Sequence, residues 1–247
     1  MTEPTGPLQP AIVVAVGGDP DEPFRLPDGV GDAVVVAVDS GLDRLVEAEV
    51  APDHLVGDLD SAAPEAVAAA VGAGAEVHRH PADKDATDLE LALDLVVDAL
   101  AAPGDRLVVV GGGGGRLDLV LGDALLLAGH SLAHLDVAAR FGAATVTVVR
   151  PGAPRTIAGV AHEQLSVLPA HGAAEGVTTT GVRWPLVDAH LAAGTTRGLS
   201  NELLDEVATV AVSAGTLLVV QPGTPAGLIE PRTTPYDPTP RPGGDPT

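Results

Sequence analysis

The segment Gly57-Asp58-Leu59-Asp60-Ser61 carries two acidic side chains that could bind a metal ion. It follows a short apolar run that predicts a strand. In an extended chain alternate side chains point to the same side, so Asp58 and Asp60 are expected to share a face about 7 Å apart. At an effective dielectric of about 20, carboxylates roughly 4–7 Å apart repel by about 2–4 kcal/mol, and Mg²⁺ would relieve this repulsion. A solvated turn is the alternative, and the motif alone favours it.

Further acids stand at the ends of other predicted elements. Asp39 follows an apolar strand at residues 33–38, and Asp85 lies in the loop before a helix that the capping-box pair Thr87 and Glu90 predicts. At this helix N-terminus Asp88 is equally well explained by pairing with the helix dipole. Open α/β sheets bind ligands beyond the carboxyl ends of their strands. The acids Asp39, Asp58, Asp60 and Asp85 are therefore expected to converge on one crevice.

Five consecutive glycines at residues 111–115 follow another predicted strand and precede Arg116 and Asp118. A strand, a glycine loop and a helix N-terminus together can close backbone N–H groups around a phosphate. The segment is not a P-loop, because the Gly-Lys-Ser/Thr ending is missing. A flexible turn is the alternative, and only Arg116 and Asp118 favour the anion site. Asp118 is a candidate for orienting a substrate, with capping of the helix equally compatible with its position.

Trp184 is the only tryptophan in a chain with 2% aromatic residues. A flat ring on the edge of a β domain suits an aromatic, cationic ligand, with stacking and cation–π attraction of ~0.5–2 kcal/mol. A buried core tryptophan is the alternative, and Trp184 considered without its neighbours favours it. The eight histidines show no ligand spacing, so zinc is not expected.

The elements that must position these residues follow from the apolar pattern. Apolar runs at residues 11–16 and 33–38 predict buried parallel strands, and further strands are predicted at 54–57, 76–80 and 106–110, with helical spacing after several of them. From residue 135 short alternating segments predict antiparallel strands at 136–140, 145–150, 164–168, 176–182, 207–212 and 217–221. The predicted fold class is α/β, with an open, mostly parallel Rossmann-like sheet followed by an antiparallel β-sandwich.

This pattern predicts four regions. Residues 1–10 are expected to be a flexible lead, 11–134 the α/β domain, 135–222 the β-sandwich, and 223–247 a disordered tail rich in proline, glycine and threonine. No apolar run reaches about 18 residues and the first ten residues lack a basic and then apolar leader, so a cytoplasmic location is expected.

Charge excludes some classes of partner. Against 13 basic residues stand 34 acidic ones, for a formal net charge of −21. Nucleic-acid backbones and anionic membranes are therefore not expected as partners. Coding bias and adaptation to salt are alternative origins of this acidity. The chain has no cysteine, so disulfides and thiolate metal sites are excluded.

The order of the segments resembles the thiamine pyrophosphokinase family, also called thiamin diphosphokinases, over residues 11–221. The resemblance is carried by residues 38–45, 52–53, 57–61, 83–93, 114–118, 176–186 and 198–202. It implies an α/β domain that binds ATP and Mg²⁺, a β-sandwich that binds thiamine, and a homodimer with thiamine between the subunits. The implied reaction transfers the pyrophosphoryl group of ATP to the hydroxyl of thiamine, giving thiamine diphosphate and AMP.

The resemblance also assigns residues. The implied metal ligands are Asp58, Asp60 and Asp85, which with Asp118 form the implied catalytic set. The implied nucleotide-binding residues are Asp39, Ser61, Lys84, Thr87, Asp88, Gly114, Gly115 and Arg116. The implied thiamine-site residues are Trp184, Ser200 and Asn201.

Three positions depart from the family pattern. Leu119 stands where histidine is usual, Asp123 where asparagine is common, and Ser40 where glycine is usual. They leave two alternatives open: a non-catalytic descendant used for ligand sensing or protein assembly, and a pyrophosphokinase for a different alcohol. The retention of the four acids speaks against the first.

Overall fold

The computed structural model of the protein describes residues 9–81 and 83–223. Most of the predicted lead and nearly all of the predicted tail lie outside these residues. No helix in the described part of the chain is long and apolar enough to span a membrane.

Five segments form a parallel sheet, as predicted. Their strands are β1 (Ile12–Val16), β2 (Val34–Val38), β3 (His54–Gly57), β4 (Glu76–Arg79) and β5 (Arg106–Val110). The spatial order is β4-β3-β2-β1-β5, so the order reverses between β1 and β5. In open α/β sheets this reversal opens a crevice at the carboxyl ends of the two strands.

Helices cover both faces of the central strands, because β1 and β2 carry apolar residues on both sides. They are α1 (Gly41–Glu47), α2 (Pro64–Ala73), α3 (Asp88–Leu95), which continues into a π-helical turn (Val96–Leu100), and α4 (Leu117–Leu127). Short 3-10 turns occupy Val30–Asp32 and His130–Leu132. Leu42 and Leu45 of α1 pack against one face, and Leu89 and Leu93 of α3 against the other.

The second half of the chain is antiparallel, which confirms the predicted fold class. Its strands are β6 (Asp136–Phe141), β7 (Ala144–Val149), β8 (Arg155–Ala158), β9 (Gln164–Thr180), β10 (Ala189–Leu191), β11 (Asn201–Glu202), β12 (Val207–Ala211) and β13 (Ala214–Gln221). They have a core of their own that includes Leu165, Val177 and Leu217.

Several details differ from the sequence prediction. β6 was assigned to the antiparallel unit but pairs in parallel with β5, with Arg106 opposite Asp136. β7, β13, β9, β12 and β8 then extend the same sheet, so hydrogen bonding continues across the predicted boundary at residue 134. β9 is a single strand where two were predicted, and the short strands β8, β10 and β11 were not predicted. The domain boundaries themselves stay a prediction.

Candidate active site

The carboxyl ends of β1, β2 and β5 open onto one cleft of about 660 Å³. The reversal of strand order between β1 and β5 separates the loops that follow them and creates this space. Every predicted nucleotide-binding residue except Lys84 lines the cleft: Asp39, Ser61, Thr87, Asp88, Gly114, Gly115 and Arg116. The fold thus brings together residues that lie up to 77 positions apart in the sequence.

Asp39 lies at the inner end of the cleft in a left-handed backbone conformation, with φ 46°. Its Oδ1 accepts a hydrogen bond of 3.3 Å from the Leu59 N–H. A Cβ atom at position 57 would overlap this oxygen, so the close approach of Asp39 requires glycine there. Burial, and next the nearby charge of Asp88, raise the pKa of Asp39 to about 6.

Asp58 and Asp60 converge through a turn and not through strand alternation. Leu59 between them has φ 61° and buries its side chain, so the segment is not extended as predicted. The Asp60 N–H donates to Asp58 Oδ1 at 3.1 Å. This hydrogen bond lowers the pKa of Asp58, whereas the adjacent Asp58 carboxylate raises the pKa of Asp60. Neither side chain lines the cleft itself, but the nearby charge of Lys84 acts to lower the pKa of both.

Lys84 lies in the loop before α3 and forms an ion pair with Asp88. Its Nζ contacts Asp88 Oδ1 at 2.5 Å, and this hydrogen bond raises the pKa of Lys84. Asp88 is therefore in an ion pair as well as at a helix N-terminus, while Thr87 Oγ1 caps the helix by accepting from Glu90 N at 3.2 Å. Asp85 is exposed and forms no hydrogen bond or ion pair with another described residue. Its place beside Asp58 and Asp60 stays a prediction.

The glycine loop packs against the loop that follows β1. The Gly112 N–H donates to Gly17 O, and the Asp19 N–H donates to Gly113 O at 3.0 Å. A Cβ at position 111 would overlap Val16 O, so the glycine is required there by a backbone contact. These backbone contacts constrain the glycine loop, so it is not an unconstrained flexible turn.

Arg116 and Asp118 form an exposed, two-pronged ion pair at the start of α4. Arg116 Nε and Nη2 donate to the two carboxylate oxygens at 2.9 and 2.6 Å. Arg116 lowers the pKa of Asp118 to about 2. Asp118 therefore stays ionised near neutral pH and is better suited to orienting a cationic or hydroxyl group than to accepting a proton.

Trp184 is 46% exposed, so the alternative of a core tryptophan is wrong. The Trp184 N–H donates to Asn201 Oδ1 at 3.1 Å, and Asn201 Nδ2 donates to Trp184 O at 2.7 Å. Arg183 lies over the indole, 5.2 Å from the ring centroid. Ser200 lies next to Asn201 with φ 56°, and its N–H donates to Ser166 Oγ. The predicted thiamine-site residues thus form a group in which buried Asn201 fixes the backbone of Trp184.

This group is separate from the cleft. All cleft-lining residues precede position 124, and none comes from the antiparallel half. In one chain, therefore, the predicted nucleotide and thiamine residues do not share a pocket within the described residues.

Comparisons with known proteins match both halves of the chain. The model of the thiamin pyrophosphokinase catalytic domain matches residues 31–137, and that of the thiamin pyrophosphokinase vitamin B1 binding domain matches residues 156–217. A thiamin pyrophosphokinase crystal structure from Geobacillus thermodenitrificans is 30% identical with a TM-score of 0.69, over 88% of this chain and 99% of that chain.

The chain belongs to the thiamin pyrophosphokinase family.

Two further relatives agree with this membership. A thiamine pyrophosphokinase of Bacillus subtilis (strain 168) is 28% identical over 186 residues, which are 75% of this chain and 86% of that protein. A crystal structure of thiamine pyrophosphokinase from Bacillus subtilis is 26% identical with a TM-score of 0.72, covering 86% of this chain and 99% of that one. The resemblance stated from sequence is confirmed.

The three departures from the family pattern all line the cleft. A Cβ at position 17 would overlap Ser40 Oγ, so Ser40 fits because its neighbour is glycine. Leu119 is 41% exposed on the cleft wall. Asp123 is buried, and burial raises its pKa to about 6.

Sequence reasoning missed one part of the cleft. Gly17, Gly18 and Asp19 follow β1 and line the cleft beside the glycine loop. The signal was available, because a Gly-Gly-Asp segment directly follows the first apolar run, in the same position as Asp39 after the second.

Proposed function

We propose that the protein transfers the pyrophosphoryl group of ATP to the hydroxyl of thiamine, producing thiamine diphosphate and AMP. The observation that carries this proposal is the convergence of Asp39, Asp58 and Asp88 with Lys84 beside a glycine loop, in a chain of this family. Acidic and basic side chains are thus grouped where a nucleoside triphosphate and its Mg²⁺ ion would bind.

The donor set fits Mg²⁺, which prefers carboxylate and water oxygens. Burial and the Asp88 charge already disfavour the ionised form of Asp39, and a divalent cation beside it would reverse that effect. Asp58, Asp60 and Asp85 are the proposed ligands, with Asp39 and Asp88 behind them. When bound, the ion would neutralise phosphate charge and orient the phosphates.

The remaining residues position the reactants. Backbone N–H groups of Gly114 and Gly115, together with Lys84 and Arg116, are proposed to hold the phosphates. The thiamine hydroxyl oxygen bonds to the β-phosphorus, the bond from that phosphorus to the α–β bridging oxygen breaks, and the hydroxyl proton is released. Such a transfer depends mainly on alignment and charge stabilisation, which ionised Asp118 would support by orienting thiamine.

Thiamine itself is proposed to stack on Trp184, with Ser200 and Asn201 beside it. Because these residues lie outside the cleft of their own chain, the complete site is proposed to form in a homodimer, where Trp184 of one subunit faces the cleft of the other. A homodimer and a cytoplasmic location both stay predictions.

The proposal is tested by measuring AMP and thiamine diphosphate after incubation with Mg²⁺ and ATP, with and without thiamine. Equal amounts of both products, formed only with thiamine, are expected. AMP formed only with another alcohol would indicate a different acceptor. No AMP with any alcohol, despite ATP binding, would favour a sensing or assembly role.

A further inference from the structure

Three side chains with metal-binding atoms meet at the outer edge of the parallel sheet. His54 lies on β3, and Glu76 and His78 lie on β4. The parallel register places His54 opposite Glu76 and Val56 opposite His78, so the three side chains project from one face. Among the described residues these three form the only group of its kind.

The distances between their ligand atoms are those of a metal site. His54 Nδ1 lies 3.1 Å from His78 Nε2, and the two Glu76 oxygens lie 3.8 Å from His54 Nδ1 and 3.7 Å from His78 Nε2. Metal–ligand bonds of ~2.0–2.1 Å in a tetrahedral zinc site place ligand atoms about 3.3–3.4 Å apart. The His54–His78 separation is within a few tenths of an ångström of this value, and each histidine nitrogen lies within about 0.5 Å of it from a different oxygen of Glu76.

We propose that His54, Glu76 and His78 bind a borderline transition-metal ion such as Zn²⁺, independently of the Mg²⁺–ATP site. Two imidazoles and one carboxylate suit Zn²⁺, whereas Mg²⁺ selects oxygen ligands. The sequence indicated no such site, because the two histidines lie 24 positions apart and only the pairing of β3 with β4 brings them together.

Burial and location support a site that holds the sheet edge. The histidine side chains are only 15% and 24% exposed, so their positions are fixed, while Glu76 is 68% exposed and leaves a path to solvent. β4 is the terminal strand and pairs only with β3. A bound ion would link the two strands. The Asp58 backbone lies four residues further along β3, or about 13 Å away at ~3.3 Å per residue.

The test uses untagged, full-length protein treated with a chelator and then kept in excess Mg²⁺. Titration with Co²⁺ as a spectroscopic probe, and then with Zn²⁺, is expected to show one equivalent bound, with visible absorption bands typical of a low-coordinate Co²⁺ site that Zn²⁺ abolishes. Zn²⁺ should also raise the melting temperature, because it binds the folded state.

Glu76→Gln and His78→Gln should each weaken binding by more than the ~10–100-fold that loss of a supporting partner costs in metal sites. The matched control is His190→Gln, which removes a histidine paired with Glu175 at 2.6 Å but outside any three-ligand group of the described residues. It should bind metal as the wild type does. Glu76→Gln alters a mostly exposed side chain, so the melting temperature of this variant, measured in chelator, should equal that of the wild type.

Two results would overturn the proposal. One is the absence of stoichiometric Co²⁺ or Zn²⁺ binding by the wild type. The other is stoichiometric binding that persists in both Glu76→Gln and His78→Gln, which would place the ion elsewhere.

Discussion

Trp184 is fixed by its backbone, through both hydrogen bonds to Asn201, and not by burial of its ring. Trp184→Ala should therefore weaken thiamine binding by about 1–3 kcal/mol, the sum of lost aromatic area and cation–π attraction. Binding of Mg²⁺–ATP should change little. Calorimetry measures both affinities, and in the wild type thiamine should quench the fluorescence of this sole tryptophan.

Val187→Ala is the control for this substitution, because Val187 is also exposed, at 78%, and lies three residues further on. It should leave thiamine affinity unchanged. Unchanged thiamine affinity in Trp184→Ala would contradict the assignment of this ring to the thiamine site.

Asp123 should make stability depend on pH. Burial raises its pKa to about 6 in the folded state, above its ordinary value of 3.8, so the folded state holds the proton more tightly. The contribution of the protonated Asp123 to the free energy of unfolding is therefore complete below pH 3.8, and it is lost as the pH rises through about 6. Asp123→Asn should therefore raise the free energy of unfolding near neutral pH by about 1–3 kcal/mol, with the gain vanishing near pH 4.

Urea unfolding across this pH range, in chelator, measures the effect. Asp94→Asn, an exposed substitution on α3, is measured in parallel as the control. If the difference in the free energy of unfolding between Asp123→Asn and the wild type did not change with pH, burial would not perturb Asp123.

At the scale of elements, Gly57 ends β3 with φ 133° and lies against the carboxylate of Asp39. Gly57→Ala should displace Asp39, destabilise the fold by about 1–3 kcal/mol and weaken Mg²⁺–ATP binding. Gly72→Ala in α2 is the matched control, because an added Cβ there meets nothing within 4 Å. The control should stabilise α2 by up to ~1 kcal/mol. Equal melting temperatures and ATP affinities for both variants would contradict the assigned contact.

The strands β1, β2 and β5 were predictable because most of their residues form continuous apolar runs, and the N-cap Thr87 because its signal is local. β8 was missed, since it has four residues and only Ile157 is buried. β9 was divided because His171 and Gly172, at φ 57° and 142°, interrupt its pattern, although pairing with β13 continues beyond them.

Within the site, the rule that open α/β sheets bind ligands beyond the carboxyl ends of their strands located Asp39 and the Asp58 segment. It did not reveal the left-handed turn at Leu59, which depends on the packing of that side chain, or the ion pair of Lys84 with Asp88. It also could not show that Trp184 lies outside the cleft, because that depends on how the two halves of the chain pack.

For the whole molecule, the separation of Trp184 from the cleft predicts a homodimer with shared sites. Light scattering should give a dimer mass. Mixing equal amounts of inactive Asp60→Asn and Trp184→Ala subunits after dissociation should restore about a quarter of wild-type turnover at low thiamine, because half the dimers are mixed and each has one intact site. A monomer that retains full activity, or no restoration on mixing, would contradict shared sites.

We expect the acids after β3 to support pyrophosphoryl transfer, and AMP release by Asp58→Asn and Asp60→Asn is the measurement that tests this. Each substitution removes a proposed Mg²⁺ ligand and no core contact, so turnover should fall by at least ~10²-fold while the melting temperature is kept. Asp98→Asn, an exposed substitution after α3, is the control and should retain wild-type turnover. Wild-type rates of thiamine-dependent AMP release in either Asp58→Asn or Asp60→Asn would contradict the account.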